Sequence, residues 1–116
     1  MLDQNCLFCK IIQGTIPAAK VYEDEYTIAF NDIAPRAPVH ILVIPKTHHA
    51  SIHEIPEGES EIVQQVFAAV CAVVKQEKLT GDGYRLVVNY GEQSGQAVPH
   101  LHVHVLGGRA MHWPPG

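Results

Sequence analysis

The most informative stretch of this chain alternates histidine with aliphatic residues and reads Pro99-His100-Leu101-His102-Val103-His104-Val105-Leu106. Alternation with a period of two predicts a β-strand, because successive side chains of a strand point to opposite faces of the sheet. The three histidines would share one face, and a helix would bury the aliphatic side chains on the other. We therefore predict a strand over residues 99–106 that Gly107-Gly108 ends.

A second strong pattern lies upstream, where apolar residues recur with the period of an amphipathic helix. These residues are Ile62, Val63, Val66, Phe67, Val70, Val73 and Val74. We predict a helix over residues 60–79, with Ser60 as its N-cap and Gly81-Asp82-Gly83 as its end. Cys71 lies in this segment beside Val70, and we expect it to be an inert core residue.

The remaining patterns are shorter and mostly extended. Strands are predicted at residues 21–23, 27–31, 39–44 and 84–89, and a short helix is predicted over residues 7–13, ended by Gly14. Together with the histidine strand they predict an α+β fold. Its five-stranded, mainly antiparallel sheet would pack against one long and one short helix.

Size and composition limit the possible functions. The chain has 116 residues, a length that predicts a single domain over residues 1–116. Its formal charge of -4 argues against a nucleic-acid partner, since phosphate backbones recruit basic surfaces. The longest apolar run, residues 66–74, is shorter than the roughly 18 residues of a membrane span. The first residues lack the pattern of a secretory signal, so we expect no membrane association and a cytoplasmic location.

The predicted sheet leaves parts of the chain without cover. Its edge strands and the apolar C-terminal residues around Trp113 have no obvious partner within one short chain. Exposed strand edges and an exposed tryptophan are typical of an interface. We therefore expect a homodimer.

The histidine strand is compatible with more than one chemistry. Same-face neighbours in a strand lie roughly 6.5–7 Å apart, a spacing that spans a phosphoryl group. Three imidazoles on a rigid strand can supply a nucleophile and hydrogen-bond donors to phosphate oxygens. Alternating histidines can also chelate zinc, or they can be structural. The spacing alone leaves these interpretations open.

The stretch from His100 to Leu106 resembles the defining motif of the histidine-triad (HIT) superfamily. Further motifs in the same order resemble its Hint branch: residues 30–33, Pro38-x-His40, residues 42–46 with His48, residues 87–89, Gly95-Gln96 and residues 106–116. The resemblance covers essentially the whole chain from Cys9 onward. It implies a homodimeric hydrolase that cleaves purine nucleoside 5'-phosphoramidates into a nucleoside monophosphate and an amine.

The resemblance also implies roles for the histidines. His102 would attack the α-phosphorus and form a covalent nucleotidyl-histidine, while its other ring nitrogen donates to the backbone carbonyl of His100. His104 would donate a hydrogen bond to the phosphate oxygens. His40 would support the triad by hydrogen bonding, although by pattern alone it is a core histidine.

Substrate-binding residues follow from the same resemblance. Asn89 would lie near the scissile phosphate, and Asp32, next to Asn31, would accept from the ribose hydroxyls. The base would sit between apolar walls, and a glycine-containing loop would approach the phosphate; the residues concerned are Phe30, Ile33, Ile16, Gly95 and Gln96. By residue type alone, each of these is an ordinary core or turn residue. The tail, residues 109–116, would carry Trp113 to the partner subunit's site.

This chain departs from the common Hint pattern at two positions. Many relatives have serine where this chain has Ala97, and its hydroxyl is placed to assist the leaving amine. Pro99 also replaces a commoner aromatic residue. These differences concern the preference for the leaving group, but they do not affect the nucleophile.

Cys6-x-x-Cys9 is open to interpretation as a redox motif, half of a metal site, a pair of free thiols or a coincidence. The resemblance to bacterial-type HIT proteins implies a structural zinc ion held by Cys6, Cys9, His48 and His100, with His49 as a competing ligand. No cofactor is expected for catalysis itself.

Two other functions remain as alternatives. One is hydrolysis of dinucleoside polyphosphates, as in the Fhit-like branch. That branch typically has a glutamine-bearing insertion and lacks the Trp-Pro-Pro-Gly ending of this chain. The other is a zinc- or nucleotide-binding interaction module with incidental catalysis.

Overall fold

The computed structural model describes residues 2–116 and contains two α-helices and five strands in this range. Their order is α1 (Leu7–Ile12), β1 (Lys20–Glu23), β2 (Thr27–Asn31), β3 (Val39–Pro45), α2 (Glu61–Gln76), β4 (Tyr84–Val87) and β5 (Val103–Gly107). Short 3-10 turns lie at Ile52–Glu54, Glu57–Glu59 and Glu92–Ser94. The predicted α+β class is confirmed.

The five strands form one antiparallel sheet in the order β1-β2-β3-β5-β4. Strand β3 is central, and its residue Ile44 pairs with Ile28 of β2 while Ile41 pairs with Val105 of β5. His40 lies on β3, His104 lies on β5, and His102 immediately precedes β5. Both strands have a neighbouring strand on each side, which restrains the backbone there and favours a rigid site.

The long helix α2 covers one face of the sheet, as the pattern predicted. The core between them is aliphatic and contains Ala29, Ile41, Val43, Val66, Ala69, Val70, Val73, Val74, Leu79, Val103 and Val105. Alternation along β3 and β5 places the histidines on the opposite face. There a second core surrounds α1 and contains Cys6, Phe8, Cys9, Ile11, Ile28, Phe30, Leu42 and Ile44.

The predicted histidine strand is wrong at its beginning. Strand β5 starts at Val103, so that His100 lies in an irregular segment rather than in the ladder. The backbone N–H of His100 donates to Val98 O, and that of Leu101 donates to His49 O instead of to a neighbouring strand. The carbonyl oxygen of His100 is taken by the ring of His102. These hydrogen bonds compete with those of the β-ladder, so regular strand pairing begins only at Val103.

The predicted limits of α2 also need correction. The helix ends at Gln76 rather than at Leu79, because Lys78 takes a left-handed conformation with φ 59 before Gly81 is reached. Ser60 makes no capping hydrogen bond, since its own backbone is already helical after the preceding 3-10 turn. Strand β4 ends at Val87, two residues before Asn89.

Cys71 is not a core residue. The buried stripe of α2 runs through Val66, Val70 and Val73, and it leaves Cys71 on the opposite side of the helix, exposed to solvent. Phe67 is also partly exposed, although its spacing predicted burial. Within residues 2–116, neither helix combines the length and the apolar character that crossing a lipid bilayer requires.

Truncating a residue at the centre of the sheet is expected to destabilise the fold strongly. Ile41 of β3 is fully buried against β5 and α2. Replacing a buried isoleucine by alanine removes packing contacts and leaves a cavity, at a cost of about 2–5 kcal/mol. We expect Ile41→Ala to lower the free energy of unfolding by that amount in urea denaturation.

Ile33→Ala provides the matched control, because the side chain of Ile33 is fully exposed. The same chemical truncation there is expected to change the free energy of unfolding by less than about 0.5 kcal/mol. Both variants are compared at one protein concentration. Equal losses in the two variants would contradict the assignment of the core.

Candidate active site

A cleft of about 580 Å³ opens on the face of the sheet opposite α2. His102 and His104 line it, together with the polar residues Asn31, Asp32 and Asn89. The rest of the lining is apolar. A cleft with apolar walls and a few convergent polar groups is typical of a small-molecule site.

The ring of His102 is held in one orientation by its surroundings. Its Nδ1 lies 2.7 Å from the carbonyl oxygen of His100. The ring of Phe8 packs edge-on against it at a centroid distance of 5.2 Å. Because a carbonyl oxygen only accepts, Nδ1 must carry the proton, and Nε2 of the neutral ring is left with its lone pair. Burial lowers the pKa of His102, which favours this neutral form.

His104 and His40 form a second, partly buried contact beside it. Nε2 of His40 lies 2.9 Å from Nδ1 of His104 and 3.5 Å from Oδ2 of Asp32. Burial, reinforced by the neighbouring His102 and His40 rings, lowers the pKa of His104 to about 4. Burial also lowers the pKa of His40. Both imidazoles are therefore neutral near pH 7, and His104 offers a hydrogen bond without a charge.

Asp32 lies just after β2 at the rim of the cleft. Its Oδ1 accepts from the backbone N–H of Ala34 at 2.8 Å, which fixes the turn that follows the strand. Its Oδ2 faces His40. Asn31 and Asn89 reach the cleft from the ends of β2 and of the segment after β4. The cleft thus gathers residues that are far apart in sequence.

The apolar walls include the three residues predicted for them. Phe30 is buried, Ile16 is half-buried, and Ile33 is fully exposed at the rim. The segment formed by α1 and the chain that follows it also contributes to the cleft, which was not predicted from the sequence. These additional lining residues are Leu7, Phe8, Ile11, Pro17, Ala18, Ala19, Leu42 and Val98. The available signal was the apolar spacing of Leu7, Phe8 and Ile11 beside the cysteine pair.

The glycine-containing loop contributes unequally to the cleft. Gly95 and Ala97 line it, and Gly95 has φ 85, a left-handed conformation that favours glycine. Gln96 is not among the lining residues. Its amide instead accepts from the N–H of Gly91 and donates to the carbonyls of Ala50 and Val98. Gln96 therefore holds the loop in shape rather than facing the cleft.

Trp113 lies outside this cleft. It is largely exposed, and the guanidinium carbon of Arg85 lies 6.0 Å from the centre of its ring. With Tyr84 and Val88 it borders a shallow hollow along β4, which forms one edge of the sheet. The approach of Trp113 to a partner subunit's site stays a prediction.

A cluster of metal-ligand side chains lies directly behind the cleft. The ligand atoms of Cys6, Cys9, His48 and His100 all lie within 4.8 Å of one another. Sγ of Cys6 is 3.3 Å from Nδ1 of His100, Sγ of Cys9 is 3.3 Å from Nδ1 of His48, and the two Nδ1 atoms are 3.2 Å apart. A tetrahedral zinc ion would separate two nitrogens by about 3.3 Å and a nitrogen from a sulfur by about 3.6 Å.

The surroundings of this cluster also fit a metal. The backbone N–H groups of Cys9 and Asp3 each point to a sulfur at 3.4 Å, toward Cys6 and Cys9 respectively. Nε2 of His100 lies 3.0 Å from the carbonyl of Pro45, so this nitrogen carries the proton and leaves Nδ1 free to ligate. Burial lowers the pKa of His100 to about 4, which keeps its ring neutral. His49 is not part of the cluster.

A second group of ligand-type atoms, from Asp32, His40 and His104, also lies within 4.8 Å. Here the two imidazole nitrogens are only 2.9 Å apart. That distance is shorter than the edge of a zinc tetrahedron and typical of a hydrogen bond. A hydrogen bond between His40 and His104 therefore explains why these atoms lie together.

Comparison with known proteins places the chain in a family. Residues 13–111 match the family model described as the HIT domain. The chain is 48% identical over 115 residues to an uncharacterised HIT-like protein of Synechococcus elongatus, covering 99% of this chain and 100% of the relative. It is 47% identical over 116 residues to a 14 kDa zinc-binding protein of Zea mays, covering 98% of this chain and 90% of the relative.

A solved structure agrees with these relatives. The crystal structure of a HIT family hydrolase from Legionella pneumophila superposes with a TM-score of 0.92 at 49% identity, covering 97% of this chain and 100% of that one. Sequence and structure thus agree along almost the entire chain. The protein belongs to the HIT domain family.

Proposed function

We propose that this protein is a hydrolase that cleaves purine nucleoside 5'-phosphoramidates into a nucleoside monophosphate and an amine. The observation that carries the proposal is the ring of His102. It lies in an apolar cleft, is favoured in its neutral form by burial, and has its Nδ1 committed to the carbonyl of His100. A neutral imidazole with a fixed tautomer is the form that can act as a nucleophile.

The reaction would proceed in two displacements. The lone pair on Nε2 of His102 forms a bond to the α-phosphorus, and the bond from phosphorus to the amine nitrogen breaks. The amine takes up a proton from solvent as it leaves, and the nucleotide stays attached to Nε2 of His102, whose ring is then cationic. Water then attacks the same phosphorus and gives up a proton to solvent, the bond from phosphorus to Nε2 breaks, and the nucleoside monophosphate and the neutral ring are released.

His104 would stabilise the phosphoryl group in both steps. Its position beside His102 in the cleft, with ring centroids 4.9 Å apart, allows it to donate to a phosphate oxygen. Charge on the phosphate oxygens is redistributed as the phosphorus bonds change, and a fixed donor stabilises it without reorganisation. His40 would support His104 through their 2.9 Å contact.

The nucleoside would occupy the remainder of the cleft. The base would pack between the apolar side chains of Phe30, Ile33 and Ile16, with Phe8 at the floor. Asp32 would accept from the ribose hydroxyls at the rim, while Asn31 and Asn89 would bind the sugar and the phosphate end. Gly95 brings backbone close to the phosphate, and we propose that Gln96 contributes by supporting this loop.

Ala97 would influence the choice of leaving group. It lines the cleft but has no hydroxyl, so it cannot protonate or hydrogen-bond a departing amine. Amines that leave readily would therefore be favoured over strongly basic ones.

We propose that the cluster of Cys6, Cys9, His48 and His100 holds a structural zinc ion. The tetrahedral spacing of its four ligand atoms and the two-sulfur, two-nitrogen donor set support this choice of metal. Bound there, the ion would cross-link α1 to the segment before β5 and supply no catalytic chemistry. Ligand thiols must be reduced, which fits a cytoplasmic location.

We also propose that the single domain, residues 1–116, works as a homodimer. Strand β4 is an exposed edge, and Tyr84, Val88, Tyr90 and Trp113 present apolar surface along it. In a dimer that joins two such edges into a continuous sheet, the tail at residues 109–116 would reach toward the partner's cleft.

The nucleophile is tested by substitution. We expect His102→Ala to lower the hydrolysis of a tryptamine–adenosine phosphoramidate by roughly 10⁴-fold or more, because the covalent route is removed. The release of tryptamine is followed by fluorescence. AMP affinity and the oligomeric state are expected to be unchanged.

His53→Ala is the matched control, since His53 is exposed and lies outside the cleft. This variant is expected to keep the parent rate. A His102→Ala enzyme with parent-like turnover would exclude the proposed nucleophile. Inactivity of the parent, together with AMP binding, would instead point to a leaving-group preference shifted by Ala97 or to the interaction-module alternative, and dinucleoside polyphosphates would be tested next.

The pH dependence follows from the burial of His102. Only the neutral ring is nucleophilic, so activity is present above its pKa and lost as the pH falls through it. Because burial lowers this pKa from 6.5, the acidic decline of kcat/KM is expected to be centred below pH 6.5. Initial rates are corrected for enzyme-free hydrolysis. A decline centred at or above pH 6.5 would contradict this environment for His102.

The metal site is tested by composition and stability. Protein purified without added zinc is expected to contain about one zinc per chain, as one set of four ligands allows. Cys6→Ser is expected to reduce the zinc content and to lower Tm, because metal binding stabilises the folded state. Cys71→Ser is the control, since Cys71 is exposed and distant from the cluster. Absence of zinc from the parent, with Cys6→Ser as stable as Cys71→Ser, would exclude the site.

A further inference from the structure

The loop between β2 and β3 contributes a backbone group to the histidine network. The N–H of Arg36 lies 3.0 Å from Nδ1 of His40 and donates to it. Nδ1 of His40 must therefore be unprotonated, since a nitrogen that accepts a hydrogen bond carries a lone pair. In the neutral ring the proton then resides on Nε2.

This assignment determines the next histidine. Nε2 of His40 faces Nδ1 of His104 at 2.9 Å and Oδ2 of Asp32 at 3.5 Å. A carboxylate oxygen can only accept, so it also requires a proton on this nitrogen. With Nε2 of His40 as the donor, Nδ1 of His104 is the acceptor. The single proton of neutral His104 is thus on Nε2.

The opposite arrangement is disfavoured by the same loop. If His104 carried its proton on Nδ1 and donated to Nε2 of His40, then His40 would carry its own proton on Nδ1. That proton would face the N–H of Arg36, so that two donors would meet in a partly buried position without an acceptor. An unsatisfied buried donor is unfavourable, which biases the network toward one tautomer.

We propose that the backbone N–H of Arg36 is a positioning group that fixes the tautomer of His104, so that its Nε2–H is available as a donor to phosphate. With the other tautomer, Nε2 would present a lone pair to an anion, and the interaction would be repulsive. The consequence for phosphate binding rests on the proposed function. The tautomer assignment does not.

Other contacts hold the backbone at Arg36 in place. Nε of Arg109 donates to the carbonyl oxygen of Arg36 at 3.0 Å. Gly108, the residue before Arg109, approaches Pro38 so closely that a Cβ atom on this glycine would lie 2.8 Å from Cβ of Pro38. The chain that leaves β5 therefore packs directly against the loop after β2. Arg36 acts through its peptide group, and the identity of its side chain is secondary.

A pair of substitutions separates the peptide N–H from the side chain. Arg36→Pro removes the N–H, whereas Arg36→Ala removes the side chain and keeps the N–H. In ¹⁵N-labelled, ligand-free protein at pH 7.5, the imidazole nitrogen shifts report the tautomer directly. We expect the parent and Arg36→Ala to carry the proton on Nε2 of both His40 and His104. Arg36→Pro is expected to show a mixture of tautomers.

AMP binding provides the functional readout by titration calorimetry. We expect Arg36→Ala to bind AMP as the parent does, and Arg36→Pro to bind it about 5- to 30-fold more weakly, the loss for one donor of about 1–2 kcal/mol. A proton on Nδ1 of His104 in the parent would overturn the inference. So would an Arg36→Pro variant with the parent's tautomers and AMP affinity.

Two further controls keep the result interpretable. If Arg36→Pro does not fold, replacement of the same peptide N–H by an ester oxygen through semisynthesis makes the same change without the proline ring, and the same two outcomes apply. If the parent shows the expected tautomers but neither binds AMP nor hydrolyses the phosphoramidate, the proposed function fails while the tautomer assignment stands.

Discussion

The hydrogen bond between Nδ1 of His102 and the carbonyl oxygen of His100 is the constraint on which the rest of the site depends. At 2.7 Å it fixes both the ring orientation and the tautomer of His102. The backbone at His100 is outside the β-ladder, so this carbonyl has no strand partner and is available to the ring. A regular strand from residue 99 would have used this oxygen in sheet pairing.

The ring of His100 fixes the irregular segment that precedes β5. Its Nε2 donates to the carbonyl of Pro45 at the end of β3, and its Nδ1 points into the cluster with Cys6 and Cys9. Phe8 of α1 packs against the rings of both His100 and His102. A six-residue helix is marginal by itself, so α1 depends on these contacts as much as it supports them.

Much of this arrangement follows from alternation, and its exceptions follow from interactions that have no sequence pattern. The period-two placement of Val103, His104 and Val105 correctly separated the aliphatic core from the histidine face. The same rule failed at His100, because a side chain competes there for a backbone carbonyl. Cys71 was misplaced because an apolar residue next to a buried valine need not share its helix face. The position of Cys71 around the axis of α2 exposes it to solvent.

Gln96 and Arg36 illustrate a further limit. The motif resemblance assigned Gln96 to a loop whose backbone approaches the phosphate, and it gave no indication that the side-chain amide closes this loop. Arg36 contributes a backbone N–H, a group that every residue except proline possesses, and so its residue type gave no indication of that contact. Contacts between loops depend on the relative placement of β2, β3 and β5, which only the folded chain provides.

The covalent intermediate on His102 is the most direct test of the chemistry. The parent enzyme is mixed rapidly with the phosphoramidate, quenched in alkali to preserve the bond from phosphorus to nitrogen, and digested for tandem mass spectrometry. The predicted result is a nucleotidyl group on His102 within the first turnover. A completed first turnover with no adduct, or with the adduct on another histidine, would contradict the central role of this ring.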